Sequence, residues 1–175
     1  MAGTAFRDRA SSMGFRWLAL ATVAVTYALV VLGGVVRATD SGDACPDWPR
    51  CHGELLPPLE ADVLIEFSHR LVASIVGLLV LALAVAAWRW RRDVPVIVWG
   101  ATVAVGLVVA QIILGGMTVL NDLSSSLVTA HLALATTLLA TLLVVALASL
   151  PAPQAEGRAQ RESVVSFRNL ALVAV

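Results

Sequence analysis

The sequence predicts an all-α integral membrane protein: a four-transmembrane-helix bundle made of two repeated helical hairpins, with a cytoplasmic N-terminus and the stub of a fifth helix. Three observations carry this. The 175 residues are 59% apolar and only 14% charged, against about 45–50% and about 25% in soluble domains. The charged residues fall in short segments between long uncharged runs. The apolar runs are continuous rather than alternating, which fits helices and not the strands of a closed barrel. Basic and acidic residues balance at 12 each, so no net basic charge is available to hold nucleic acid. Two cysteines are too few for a disulfide-dense secreted scaffold.

The elements follow in order. Residues 1–16 read as a cytoplasmic tail. Four charge-free runs come next: Trp17–Val36, Leu71–Trp88, Val96–Leu120 and Leu127–Ser149. Each is near the roughly 20 residues that cross a hydrocarbon core. The second helix is expected to start early, near Val63, so the spans lie at 17–36, 63–88, 96–120 and 127–149. The first span is too long for a signal-peptide core, and Gly33-Gly34-Val35-Val36-Arg37 is no cleavage site. An outer loop, 37–62, carries the cysteine pair. Residues 150–169 read as a cytoplasmic linker rich in Pro, Ala and Gln. Residues 170–175 turn apolar again, like the opening of a fifth helix.

Arginine sets the orientation. Arg7, Arg9 and Arg16 precede the first span, Arg89, Arg91 and Arg92 follow the second, and Arg158, Arg161 and Arg168 follow the fourth. Segment 121–126 has none, and the long first loop offsets its arginines with acids. The positive-inside rule then places the N-terminus in the cytoplasm and the cysteine loop outside. Trp17, Trp88, Trp90 and Trp99 fall at the inner ends and read as interfacial anchors.

The first and third spans end in the same triplet, Leu32-Gly33-Gly34 and Leu114-Gly115-Gly116, and each returning helix carries a histidine near its outer end, His69 and His131. Two copies of one hairpin in one orientation account for this. The histidines sit at similar depth on equivalent helices. Two neutral imidazoles so placed suit axial coordination of a haem iron, and ionisable groups inside a membrane are functional candidates. Zinc is a weaker reading, because a third and fourth ligand are not evident. A plainer alternative is a hydrogen bond across helices from each histidine. Ala73, Gly77 and Ala135 lie on the histidine faces, leaving room for a flat ligand or for close helix approach.

Glu66 and His69 share a helical face. A carboxylate near a low-dielectric boundary suits proton transfer or orientation of the imidazole; a simple ion pair with Arg70 four residues on is the alternative. Arg37 and Arg70 flank apolar spans on the outer side. Their guanidinium forks match haem propionates, or they snorkel to the interface. Cys45-Pro46-Asp47-Trp48-Pro49-Arg50-Cys51 is expected to form a disulfide in an exported compartment. A metal site of Cys45, Cys51, His52 and Asp47 is conceivable, though the spacing matches no common zinc pattern.

Taken together these motifs resemble the amino-terminal half of haem A synthase of the bacterial type. The carrying residues are Gly33 to Thr39, Ser41 to Cys51, Glu66-Phe67-Ser68-His69-Arg70, and Gln111 to Val119, with His131 following. The resemblance covers the first to the fourth span. It implies a membrane oxidoreductase of haem A biosynthesis, required for cytochrome oxidase assembly, that oxidises a methyl group of haem O to the formyl of haem A by successive hydroxylation. It implies two similar four-helix halves, one holding haem b and the amino-terminal one the substrate haem. Carried over by position, His69 and His131 are the iron ligands, Glu66 is the acid important for activity, and Cys45 and Cys51 are the loop cysteines. The implied partners are haem O, haem O synthase (protohaem farnesyltransferase) and a second four-helix half or homo-oligomer, in the bacterial inner membrane. The chain departs from the pattern by carrying one histidine pair and one half; truncation, or a half-size protein that dimerises, accounts for that. The alternative is a four-helix b-type cytochrome that binds haem for electron transfer alone; a quinone-coupled thiol oxidoreductase fits the cysteine spacing poorly.

Overall fold

The computed structural model describes residues 2–53 and 58–151, with side chains from Ser12 onward. Four α-helices are found there: α1 (Ala2–Ala38), α2 (Ala61–Trp90), α3 (Pro95–Leu120) and α4 (Ser125–Ser149). All four are long and apolar enough to cross a membrane. The protein is a multi-pass membrane helical bundle. The expected linker and fifth-helix stub lie outside the described residues, as do the side chains of Arg7 and Arg9.

The helices outrun the uncharged stretches. α1 begins at Ala2, not Trp17, and α2 begins at Ala61, ahead of Glu66 and Arg70. An uncharged run marks what lipid surrounds; helical hydrogen bonding continues wherever water or partner groups satisfy the polar side chains. α3 starts on Pro95, whose missing N–H costs nothing in a first turn. Buried Thr22 and Thr26 donate their hydroxyls to Leu18 and Thr22 carbonyls in their own helix, at 2.7 Å each. That satisfies them without a partner helix, as a hydrocarbon environment requires.

The helices form a ring. α1 packs on α2 and α4, α3 packs on α2 and α4, and the diagonal pairs do not approach closely. The main buried core is Phe15 and Ala19 of α1, Val76 to Ala87 of α2, Ile97 to Ala104 of α3 and Leu138 to Ala146 of α4. It fills the end that carries the arginine-rich α2–α3 turn. At its centre a Cβ on Gly100 would lie 2.7 Å from Val145 Cγ2, so only glycine lets α3 and α4 approach there. Around the rim, Leu78, Ile113 and Leu147 present apolar side chains outward. At the arginine-rich end Trp88 meets Trp99 edge-on at 6.5 Å and donates its indole N–H to Thr102. The other end holds a second, small cluster of Cys45, Cys51 and Val63, with Phe67 against it.

Candidate functional site

His69 and His131 stand at the loop end of the bundle, beyond the main core. They belong to α2 and α4, the helices on one diagonal of the ring. A helix rises about 1.5 Å per residue, which puts them roughly 12 and 9 Å in from the first residues of their helices. Each imidazole rests on a glycine of the preceding helix. A Cβ on Gly33 would lie 3.1 Å from His69 Cε1, and a Cβ on Gly115 would lie 3.2 Å from His131 Cε1. The first glycine of each Leu-Gly-Gly triplet is therefore a seat for the histidine of its own hairpin, and the two hairpins make the same contact. In both rings Nδ1 is buried with no hydrogen-bond partner among the described residues. The cross-helix hydrogen bond that was the plain alternative for each histidine is absent at both buried Nδ1 atoms.

The second glycines differ. Gly34 faces open space, whereas a Cβ on Gly116 would lie 3.2 Å from the Trp48 indole. Trp48 comes from the cysteine loop, so the first hairpin's loop is laid across the second hairpin's helix. Gly77 faces Val108 of α3 at 3.8 Å and serves helix approach.

Glu66 and Arg70 turn toward the cysteine loop. The Glu66 carboxylate is buried; Oε2 accepts the Cys45 N–H at 2.7 Å, and Oε1 pairs with the Arg70 guanidinium. The guanidinium also donates to the carbonyls of Cys45, Asp47 and Arg50 at 2.7–2.8 Å. The Arg70 guanidinium is thus fastened to the cysteine loop. Arg37 is exposed and pairs with Asp40 at 3.4 Å.

Cys45 and Cys51 are joined in a disulfide with a Cα–Cα separation of 4.7 Å. This removes both thiolates from the conceivable Cys/Cys/His/Asp metal site. His52 and Asp47 are used otherwise: the Asp47 carboxylate accepts the backbone N–H of Gly53 and of His52, and His52 Nε2 lies 2.9 Å from the Ala44 carbonyl. No group of three or more His, Cys, Asp or Glu side chains that could hold a bare metal ion occurs among the described residues.

The hydrogen bond from Gly53, with that from the His52 backbone, holds the Asp47 carboxyl below its ordinary value against a smaller desolvation effect. A lowered folded pKa means that the clasp is fully present above the ordinary value of 3.8 and is lost as pH falls through the folded one. Reduction of the disulfide by a phosphine should run faster in Asp47→Ala than in wild type at neutral pH. The ratio should fall toward unity only below pH 3.8. A ratio of one at neutral pH would show that the carboxylate does not hold the loop.

Comparison with known proteins decides the family. A family model described as cytochrome oxidase assembly protein matches residues 16–64 and 59–175. The chain belongs to this family. It is 32% identical over 160 residues to the Heme A synthase of Exiguobacterium sibiricum, covering 87% of this chain and 52% of that protein. It is 39% identical over 108 residues to the Heme A synthase of Lysinibacillus sphaericus, covering 60% and 35%. It is also 37% identical over 131 residues to Protoheme IX farnesyltransferase 1 of Natronomonas pharaonis, covering 75% and 27%. The chain spans about half the length, or less, of the curated relatives it matches.

The residues present fit a haem. Two glycine-seated imidazoles with unpartnered buried nitrogens, set on diagonal helices, would suit the two sides of a bis-imidazole macrocycle. Three features were missed in the sequence. The glycine triplets marked a repeat but not their function as seats. Trp48 was not assigned a contact. Gln111, whose amide donates to the His131 carbonyl at 2.9 Å, entered only as the first residue of the stretch Gln111 to Val119 that carries the resemblance.

Proposed function

We propose that this chain is the substrate-haem-binding half of a haem A synthase, a membrane oxidoreductase that converts the methyl group of haem O to the formyl of haem A. The observation that carries this reading is the duplicated seat: Gly33 under His69 and Gly115 under His131, with Nδ1 unpartnered in both rings. Membership of the family and the similarity to two Heme A synthases support it.

Haem O, when bound, supplies both the iron and the methyl group to be oxidised. The chain's own residues hold and enclose it. His69 and His131 would hold the iron, each ring kept in place by its glycine. Arg37, exposed at the end of α1, would be the cation that meets propionates. Arg70 and Glu66 fasten the disulfide loop over the loop end of the bundle and limit the access of water. Glu66 acts through that loop, as a positioning residue, because both its carboxylate oxygens are taken by Cys45 and Arg70. In the bacterial inner membrane, the arginine distribution supports a cytoplasmic N-terminus and a disulfide loop on the outer face. The likeness to a Protoheme IX farnesyltransferase is in keeping with haem O synthase as the partner that delivers the substrate; a second four-helix unit would hold haem b.

Optical titration of the purified chain with haem tests the reading. Wild type should give a low-spin bis-imidazole spectrum, and His69→Ala and His131→Ala should each lose it while remaining helical by circular dichroism. An unchanged spectrum in both variants would rule out this ligand pair.

A further inference from the structure

Gln111 lies among Leu107, Val108, Val109, Ala110, Ile112 and Ile113 of α3. Its Nε2 is anchored on the main-chain carbonyl of His131. Its Oε1 is buried and has no partner among the described residues. An acceptor buried without a donor is costly, and an alkyl side chain of similar volume would carry no such cost. Gln111 stands one helical turn from Gly115, on the same face, and Gly115 seats the His131 imidazole. At the matching place in the first hairpin, one turn before Gly33, stands Leu29. The amide therefore makes one side of an otherwise duplicated site polar.

We propose that Gln111 is a specificity-determining residue: its Oε1 accepts a hydrogen bond from a hydroxyl on the periphery of the bound macrocycle. The proposal rests on the reading of His69 and His131 as haem ligands. With Nε2 committed to His131, Oε1 is left as the unpaired acceptor of the amide. A site built around such an acceptor favours a hydroxyalkyl substituent over the alkyl analogue, because the analogue leaves the acceptor unpaired.

Two probes that differ only in hydroxyls test this: iron haematoporphyrin, with hydroxyethyl groups, and iron mesoporphyrin, with ethyl groups. Each is titrated into the full chain and followed by its low-spin spectrum. The ratio of affinities, haematoporphyrin over mesoporphyrin, should be at least about fivefold higher in wild type than in Gln111→Met, the equivalent of one net hydrogen bond. An unchanged mesoporphyrin spectrum in Gln111→Met shows that the variant is folded. Equal ratios in wild type and Gln111→Met, with both porphyrins bound, would overturn the role of Gln111 and leave the haem reading intact. Failure of wild type to bind either porphyrin would overturn the haem reading, and this inference with it.

Discussion

Arg70→Ala should be among the most destabilising single changes in the chain, by about 3–5 kcal/mol, the usual cost of stripping one partner from a buried ion pair. The substitution does two things at once. It leaves the Glu66 carboxylate, whose side chain is 4% exposed, with the Cys45 N–H as its remaining hydrogen-bond partner. It also takes the donor from three loop carbonyls, those of Cys45, Asp47 and Arg50. Lysine should rescue poorly, because one ammonium cannot reproduce a planar fork that serves four acceptors. The first of the two effects is separable. In the background Glu66→Gln the amide oxygen still accepts from Cys45, no charge is left unpaired, and Arg70→Ala should cost about 1–3 kcal/mol less. Equilibrium unfolding of the four proteins of this cycle measures the coupling. A cost within about 1 kcal/mol for Arg70→Ala alone would reduce the contact to an ordinary surface pair.

The contrast between Arg70 and the spans shows what the sequence could express. The spans were legible because lipid imposes a simple test, uncharged length, on every residue of a run. The Glu66–Arg70 pair was legible as an i,i+4 spacing. Three of the acceptors of Arg70 were not, because they are main-chain carbonyls about 20 residues or more away along the chain, and a carbonyl has no residue identity to read. Gln111 was obscured for a similar reason, since its amide nitrogen bonds a carbonyl. Trp48 depends on Arg70 in turn: until the loop is fastened, nothing in Cys-Pro-Asp-Trp-Pro says that the indole will rest on Gly116. Absence of charge marks the lipid boundary and not the end of the helix, so α1 extends ahead of the uncharged run that begins at Trp17.

The paired glycines yield the prediction with the clearest internal control. In Leu-Gly-Gly both positions look alike, yet the four glycines face three different surroundings. Alanine at Gly33 or at Gly115 places a methyl 3.1 or 3.2 Å from an imidazole carbon, so the ring must shift by a few tenths of an ångström. Where two ligands must present to one metal, a misplacement of that order should weaken haem binding about tenfold, given that roughly 1 Å costs about a hundredfold in a positioned site. The two losses should be similar, because the two seats are geometrically equivalent. Alanine at Gly34, which faces open space, should bind haem as wild type does. Alanine at Gly116 meets the Trp48 indole instead; it should leave haem affinity nearly unchanged while lifting the loop, read as a red-shifted Trp48 emission in a chain whose other tryptophans are replaced by phenylalanine. Haem titration of the four single variants separates these outcomes. If Gly34→Ala weakens binding as much as Gly33→Ala, the glycines act through general helix packing and not as seats. The imidazoles would then owe their positions to something other than the repeat.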